Sequence, residues 1–332
     1  MSLMIDRVFI SVLLLSISGF VFCAVFLPFE KFAYRLTSAK TMVTMNTAAL
    51  FSFVIPFYII ASVFDGSEKM FTTKNLLVFE DTEAFETYTG ILRDTYIIEN
   101  LKYIWLAGVI IFLAYHIFAY VNFLSKLKSD GFYLNAKIWK DCFNRLKDKN
   151  NVPRVELIGC CNIFTPCTVG IKSKKIVIPA TMIGAFDAEE IEFILMHEFY
   201  HVAHNDLPRK LLIIILNSLN WFNPLFYFLR GNLSDWQEAA CDDAVTSGFN
   251  KRERTKYCRL LIKVPELENE ISKGRTFGIN FGGNGVENYK RRISRIMNKN
   301  STNSKFGKVI VTSVAMLAMV SGSVVAKALI LL

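Results

Sequence analysis

Three of the four histidines in the chain lie within eight residues, in the segment HEFYHVAH. On an α-helix, His197 and His201 are four residues apart and therefore lie on one face, about 6 Å apart along the axis. Two imidazoles placed in this way can bind one zinc ion, and Glu198 can act as general base on a zinc-bound water. The HEFYH pattern therefore predicts a metal-dependent hydrolase, although an isolated HExxH pattern also occurs by chance on amphipathic helices.

A zinc site on this helix needs a third protein ligand. His204 is about 10.5 Å along the axis from His197, which is too far for both to bind one tetrahedral ion, so we expect it to be a neighbour of the site. The segment WQEAACDDA offers Glu238 as the third ligand. Asp242 lies four residues later on the same helical face, where it can orient a ligating histidine. By itself this segment would be interpreted as a solvated acidic face.

The histidines require a helix that begins well before them. Asp187 can cap such a helix, and Glu190 follows three residues later, as in a capping box. Pro208 disfavours continuation of the same helix, so we expect it to end near the segment HNDLP.

The segment before this helix carries strand signals. The runs VELIGC, CTVGI and KIVIP are β-branched and separated by turn residues, which predicts a small sheet over 154–179. Residues 126–150 are polar and basic, with apolar residues at helical spacing, and we interpret them as one helix.

A hydrophobic content of 52% is high for a soluble protein and indicates membrane insertion. Four windows approach the roughly 20 apolar residues that a spanning helix needs, and we predict transmembrane helices at 8–27, 47–64, 103–124 and 309–325. The first could instead be a secretory signal. Its apolar run is longer than a signal core of about 7–15 residues, which favours a retained helix.

Lysine and arginine predict the orientation, because short loops rich in them stay in the cytoplasm. The loop after the first helix is basic and is predicted to be cytoplasmic, whereas the loop 65–102 is acidic and is predicted to be external. The segment 126–308 is basic again, so it is predicted to be cytoplasmic, with both termini outside. This topology accounts for the net charge of +9, and we do not expect direct nucleic-acid binding.

Six of the seven cysteines fall in the cytoplasmic segment, where reducing conditions argue against disulfides. Cys160, Cys161 and Cys167 are close in sequence, but no second CxxC pair completes a zinc site. We interpret them as ordinary buried thiols.

The apolar segment 211–229 could be a fifth membrane span by hydropathy alone. A span here would put Glu238 on the opposite side of the bilayer from His197, and the zinc site would be impossible. Asn217, Asn220 and Pro224 also make a poor lipid-facing helix. We therefore interpret 209–230 as a buried or membrane-inserted hairpin that returns to the cytoplasmic side.

Several segments, taken in order, resemble the membrane-embedded zinc metalloproteases of the BlaR/MecR type, the β-lactam sensor-transducer antirepressor peptidases. The matching segments are TPCTVGIKSKKIVIP, EEIEFILMHEFYHVAHNDLPRKLL, NWFNPLFYFLRG, EAACDDAV and, more weakly, YKRRISRIM. The resemblance covers about residues 155–300. It is much more specific than the HExxH pattern alone.

The resemblance implies a mainly α-helical polytopic membrane protein, with a gluzincin-like α+β zinc metalloprotease domain between the third and fourth transmembrane helices. The implied division is 1–125 for the first three helices, 126–308 for the cytoplasmic protease domain and 309–332 for the fourth helix. One zinc ion per chain would be held by His197, His201 and Glu238, with Glu198 as general base. Asp242 would orient a ligating histidine. Asp206 is assigned a structural role, capping a helix that begins at Leu207.

The resemblance also implies a function in the bacterial cell membrane. The protease would respond to an external signal such as a cell-wall antibiotic and would cleave a cytoplasmic protein, a transcriptional repressor. It could also cleave itself, and the glycine-rich segment 277–285 is either the linker for that cut or a solvated loop. No SxxK motif with its partner motifs occurs, and no external penicillin-binding domain follows the fourth helix. We therefore expect either a piece of a longer sensor protein or a short form that senses through a separate sensor protein or through the loop 65–102.

Two other functions stay open at this point. A quality-control protease like HtpX also combines HExxH with a downstream glutamate and membrane helices. A non-catalytic membrane receptor could use zinc for its fold alone. Glu198 argues against the receptor, because a purely structural site needs no base beside an open metal position.

Overall fold

The computed structural model describes residues 2–33, 37–54, 96–149, 152, 154–171, 173–272, 284–298 and 305–331, and these are mainly helical with one small sheet. The chain divides into two compact units. The first, which we call the helical unit, comprises the described residues of 1–116, 213–236 and 301–332. The second, which we call the mixed unit, comprises the described residues of 117–212 and 237–300. The domain limits drawn from the sequence remain a prediction.

The helices, numbered in chain order, are α1 (Ser2–Ala33), α2 (Ala39–Ser52), α3 (Tyr96–Asp130), α4 (Lys137–Lys149), α5 (Ala188–Ala203), α6 (Asp206–Leu219), α7 (Pro224–Val245), α8 (Lys251–Ser272), α9 (Asn284–Met297) and α10 (Lys305–Leu331). The strands are β1 (Gly131–Tyr133), β2 (Val155–Cys160), β3 (Cys167–Val169) and β4 (Lys174–Pro179).

Two helices are long and apolar enough to cross a membrane. They are α1, over Val8–Glu30, and α3, over Asn100–Asp130, which contain two of the four predicted spans. The apolar stretch of α10, Phe306–Gly322, is shorter. The predicted span 47–64 and the predicted external loop 65–102 lie largely outside the described residues, as does most of the segment 277–285. Four spans therefore remain a prediction.

Within the helical unit, α1 packs along α10. A Cβ atom added at Gly322 of α10 would lie 2.6 Å from the backbone oxygen of Ser18 in α1. The two backbones can approach this closely only because residue 322 has no side chain. Small residues at helix contacts are typical of membrane proteins, where close packing replaces the hydrophobic effect between helices.

A buried carboxylate joins three helices of the same unit. Glu30, near the end of α1, accepts hydrogen bonds from Asn46 of α2 and from Asn232 and Trp236 of α7; the Asn46 bond is 3.1 Å long. Asn46 is fully buried, and Glu30 is also buried. A buried carboxylate is stable only when its oxygens are bonded in this way.

The apolar segment 211–229 is not one continuous helix. α6 ends at Leu219 and α7 begins at Pro224, so a short turn separates the two helices, and the hairpin over 209–230 stays a prediction. At this turn, the buried side chain of Asn220 accepts a hydrogen bond of 3.0 Å from Ser16 of α1. The side chain of Asn220, one of the polar residues that made a lipid-facing helix implausible, thus has partners inside the protein.

In the mixed unit, the four strands lie in the order β1-β2-β4-β3. β2 and β4 are parallel, and the two outer strands are antiparallel to their neighbours. The predicted sheet over 154–179 supplies β2, β3 and β4. The prediction of one helix over 126–150 is wrong, because β1 separates α3 from α4. Three residues are too short to give a periodic signal, and only Gly131 marks the break.

α5 packs against α4 and the sheet. The predicted capping box is confirmed, since the Asp187 carboxylate accepts from the Glu190 backbone nitrogen at 2.9 Å and the Glu190 carboxylate accepts from that of Asp187 at 3.0 Å. The helix ends at Ala203, directly before the segment HNDLP near which its end was predicted. Asn205 follows with a left-handed φ of 53°, and α6 begins directly after it. This sharp reversal brings the first residue of α6 back to the side of α5.

We predict that Glu30→Ala destabilises the protein by about 2–4 kcal/mol, because three donors, of which those of Asn46 and Trp236 are buried, lose their acceptor. Glu30→Gln keeps one acceptor oxygen at the same place and should destabilise the protein less than Glu30→Ala. Thermal unfolding of the detergent-solubilised chain measures both changes. An alanine variant that melts at the wild-type temperature would contradict a structural role for this carboxylate.

Candidate metal centre

The residues predicted to bind zinc come together in the mixed unit. The Nε2 atoms of His197 and His201, one turn apart on α5, are 3.2 Å from each other. From α7, Glu238 places one carboxylate oxygen 3.3 Å from the Nε2 atom of His197 and the other 3.7 Å from that of His201. Two nitrogen atoms and a carboxylate therefore converge on one point.

Hydrogen bonds on the far side of each ring determine which nitrogen carries the proton. Asp206 accepts from Nδ1 of His201 at 2.6 Å. The hydroxyl of Tyr257 donates its single hydrogen to Asp242 at 2.8 Å, so it must accept from Nδ1 of His197, 3.0 Å away. Both rings thus carry hydrogen on Nδ1, and both Nε2 lone pairs point into the site.

This arrangement suits a metal ion. Ligands at about 2.0–2.1 Å from a tetrahedral ion lie about 3.3 Å from one another. The 3.2 Å between the two Nε2 atoms and the 3.3 Å from His197 to Glu238 match that spacing. Two ring nitrogens and a carboxylate that face one another at this spacing can hold a metal cation between them.

Cys241 is an alternative third ligand, because its sulfur and one ring nitrogen of each of His197 and His201 lie within 4.8 Å of one another. Its thiol donates to the backbone oxygen of His197 at 3.4 Å, away from the converging lone pairs. Burial raises the pKa of the Cys241 thiol well above its ordinary value, whereas zinc binds the thiolate. Glu238 is therefore the better third ligand.

The charges of the site favour an ionised Glu238. Desolvation opposes ionisation, but the contact with His197 and the positive charge of Arg292 outweigh it and hold the pKa of this carboxyl below its usual range. Desolvation also disfavours a charged His201. The hydrogen bond to Asp206 and the charge of Glu238 outweigh it, so the pKa of His201 is raised.

Glu198 lies beside the ligands and is almost completely buried. One of its carboxylate oxygens accepts a hydrogen bond of 2.9 Å from Thr168, in the middle of strand β3. Within the described part of the chain, β3 pairs only with β4 and is an edge of the sheet. The carboxylate is therefore held between the helix and the sheet edge.

A cleft of about 340 Å³ opens over these groups. One wall is formed by residues 165–168, which include the start of β3 and the two residues before it. Another is apolar and includes Phe193 of α5 with Leu260 and Val264 of α8. His197, Glu198, His201 and Glu238 also line the cleft. A molecule bound here would contact the candidate metal ligands directly.

Two predicted neighbours of the site differ in detail from expectation. Asp206 is the first residue of α6, and its carboxylate binds His201 and, at 2.8 Å, Arg209, so its contacts support a ligand and not the predicted cap at Leu207. Asp242 is 3.7 Å from Nδ1 of His197 and reaches it through Tyr257.

His204 follows α5 as its C-cap residue. Its ring stacks on Tyr200 at a centroid distance of 3.8 Å, and its Nδ1 atom is 3.0 Å from the backbone oxygen of Tyr200. That His204 is a neighbour of the site and not a ligand stays a prediction.

Sequence reasoning missed Thr168, Tyr257 and Arg292. Thr168 and Arg292 lie in segments that carried the family resemblance, but nothing in their spacing marked them as part of the site. Tyr257 is one of several apolar positions of an amphipathic helix. Each contacts the site from 30 to 60 residues away, so only the folded chain brings them there.

Comparisons with known proteins show which family the chain resembles. A family model described as BlaR1 peptidase M56 matches residues 31–296. The methicillin resistance mecR1 protein of Staphylococcus aureus strain Mu50 is 25% identical over 306 residues, which cover 88% of this chain and 47% of that protein. The regulatory protein BlaR1 of Bacillus licheniformis is 26% identical over 196 residues, which cover 59% of this chain and 32% of that protein. The chain thus spans about half the length of these curated relatives, or less.

The family model covers more than half of the chain and includes both segments that supply the candidate ligands. The chain therefore belongs to the BlaR1 peptidase M56 family, a family of metallopeptidases.

Proposed function

We propose that this chain is a membrane-anchored zinc metalloendopeptidase of the gluzincin type that acts in signal transduction by cleaving a cytoplasmic protein. The observation that carries the proposal is the convergence of His197, His201 and Glu238, with the carboxylate of Glu198 beside them in the same cleft. The named relatives, a regulatory protein and a methicillin resistance protein, support a role in a response to cell-wall antibiotics.

The chain's own residues account for the chemistry of peptide hydrolysis. When bound, zinc polarises the scissile carbonyl and lowers the pKa of its water to about 7. Glu198 takes the proton from the attacking water and delivers it to the leaving amine. Thr168 holds one oxygen of that carboxylate by its hydrogen bond, so the other is directed to the water.

The substrate is a cytoplasmic protein, and by the family resemblance a transcriptional repressor. An extended segment of it would pair with the edge strand β3 by β-augmentation, which aligns its backbone beside Glu198. Cleavage of the chain itself in the segment 277–285 is part of the same proposal. A non-catalytic receptor is less favoured, because Glu198 is buried and bonded beside the ligands without being one of them.

We expect Glu198→Gln to keep about one zinc per chain but to reduce cleavage by at least about 10²-fold, because the amide cannot take the proton. Glu192→Gln is the matched control, since Glu192 lies on the same helix and pairs with Arg145 outside the cleft. Zinc analysis and fragment formation, from cytosolic proteins and from the chain itself, measure both. If Glu198→Gln cleaves as fast as the wild type, the proposed mechanism is wrong; if neither protein binds zinc, the ligand assignment is wrong.

Thr168→Val should lower kcat about tenfold while zinc content stays unchanged, because the Glu198 carboxylate loses the bond that orients it. Thr168→Ser retains the hydroxyl and should lower kcat less than Thr168→Val. Both variants are measured with a peptide substrate derived from the fragments above. Equal rates for valine and serine would show that this hydroxyl does not position the base.

Asp206→Ala should weaken zinc binding by about 10–100-fold, since His201 loses the acceptor that fixes its tautomer. Asp206→Asn keeps an acceptor oxygen and is expected to lie between the alanine variant and the wild type. Arg209→Ala separates this effect from the neighbouring ion pair and should stay close to wild type. Competition with a chromophoric zinc chelator gives the affinities. An alanine variant with wild-type affinity would refute the role of Asp206.

A further inference from the structure

Helix α9 contributes a guanidinium to the candidate metal centre. Arg292 binds both oxygens of Asp242, with Nε at 2.6 Å and Nη2 at 2.9 Å from them. Its third nitrogen, Nη1, lies 3.4 Å from a carboxylate oxygen of Glu238. The side chain of Arg292 is 9% exposed and that of Asp242 is 1% exposed, so this is a buried, charged contact.

Arg292 reaches the metal ligands along two routes. The Glu238 oxygen that it approaches is the one 3.3 Å from Nε2 of His197. The Asp242 oxygen that accepts from Nη2 also accepts from Tyr257, whose own oxygen accepts from Nδ1 of His197. One side chain is thus in contact with a ligand and with the group that fixes the tautomer of another.

The planar guanidinium suits this position. Glu238 and Asp242 are four residues apart on α7, where two like charges repel each other. A guanidinium offers five donors in a fixed plane and can bind both carboxylates at once, whereas an ammonium is a single compact charge. Removal of the arginine would leave the buried Asp242 carboxylate uncompensated, whereas Arg292→Lys keeps the positive charge and changes only the planar arrangement of donors.

We propose, on the basis of the proposed zinc peptidase function, that Arg292 is a positioning residue that holds Glu238 and Asp242 in the geometry for metal binding, so that helix α9 is a required part of the metal centre. The bland alternative is that Arg292 only attaches α9 to α7. The two differ in what happens to zinc affinity when the contact is changed.

The chain contains a matched control for this alternative. Arg295, one turn after Arg292 on α9, binds both oxygens of Asp243 at 2.8–3.1 Å. Its side chain is also buried, at 2% exposure. In the part of the chain that the structure describes, Asp243 is bonded to none of the three candidate ligands. The pair Arg295–Asp243 therefore attaches the same two helices without supporting the ligands.

The experiment measures zinc affinity by chelator competition in the full-length, detergent-solubilised chain, with Glu198→Gln present in every sample to prevent self-cleavage. The variants are Arg292→Lys, Arg292→Met, Arg295→Lys and Arg295→Met, and thermal unfolding is recorded for each. We expect both Arg292 variants to weaken zinc binding, by about tenfold or more for methionine. The zinc affinity of both Arg295 variants should stay within about twofold of the parent chain. We expect this even if the Arg295 variants lower Tm by as much as the Arg292 variants do.

Arg292→Lys keeps the buried positive charge and the pairing with Asp242, so it decides the question if the methionine variant does not fold. Zinc affinity that is unchanged in the Arg292 variants would overturn the proposal, as would an equal loss in the Arg295 variants. A parent chain that binds no zinc would instead overturn the proposed function and this role with it. Because the readout is zinc affinity, failure to find a peptide substrate does not affect the result.

Discussion

The candidate metal centre depends on hydrogen bonds at the far side of its two histidines. Each Nδ1–H has an acceptor, Asp206 for one ring and the hydroxyl of Tyr257 for the other. These bonds fix the tautomers, and only then do both Nε2 lone pairs face Glu238. Without them, a proton could occupy either Nε2 position and the group would lose its preference for a cation.

The charges that support the ligands are themselves buried, which is unfavourable unless every charge is paired. Taking a carboxylate or a guanidinium out of water costs several kcal/mol, and good geometry and additional hydrogen bonds are needed to offset it. The contacts among Arg292, Asp242 and Tyr257 meet that requirement. Such a network tolerates few partial changes, because the loss of one member leaves another charge uncompensated. This constraint links α9, the last described helix of the mixed unit, to α5, the helix that carries His197 and His201.

The helical unit follows the same physical rule with different groups. Its helices are apolar, yet Glu30, Asn46 and Asn220 are buried inside it and bonded to neighbouring helices. In hydrocarbon an unpaired polar group costs several kcal/mol, so polar residues there must be paired within the protein. Asparagines in the segment 211–229 therefore signal a turn and internal contacts, which a hydropathy average does not distinguish from a membrane span.

The sequence by itself determined the parts of the site that depend on local geometry. The spacing of His197, Glu198 and His201 and the capping box at Asp187 follow from helix periodicity and from contacts three or four residues apart, and Glu238 followed from its carboxylate chemistry. Only the tertiary structure decided which groups hold them: Thr168, Tyr257 and Arg292 lie 30–60 residues from their partners. Their contacts depend on how strands and helices pack, and no local pattern records that packing. The role of Asp206 was also decided by the tertiary structure. Only the reversal at Asn205 brings its carboxylate to His201 instead of to a helix cap.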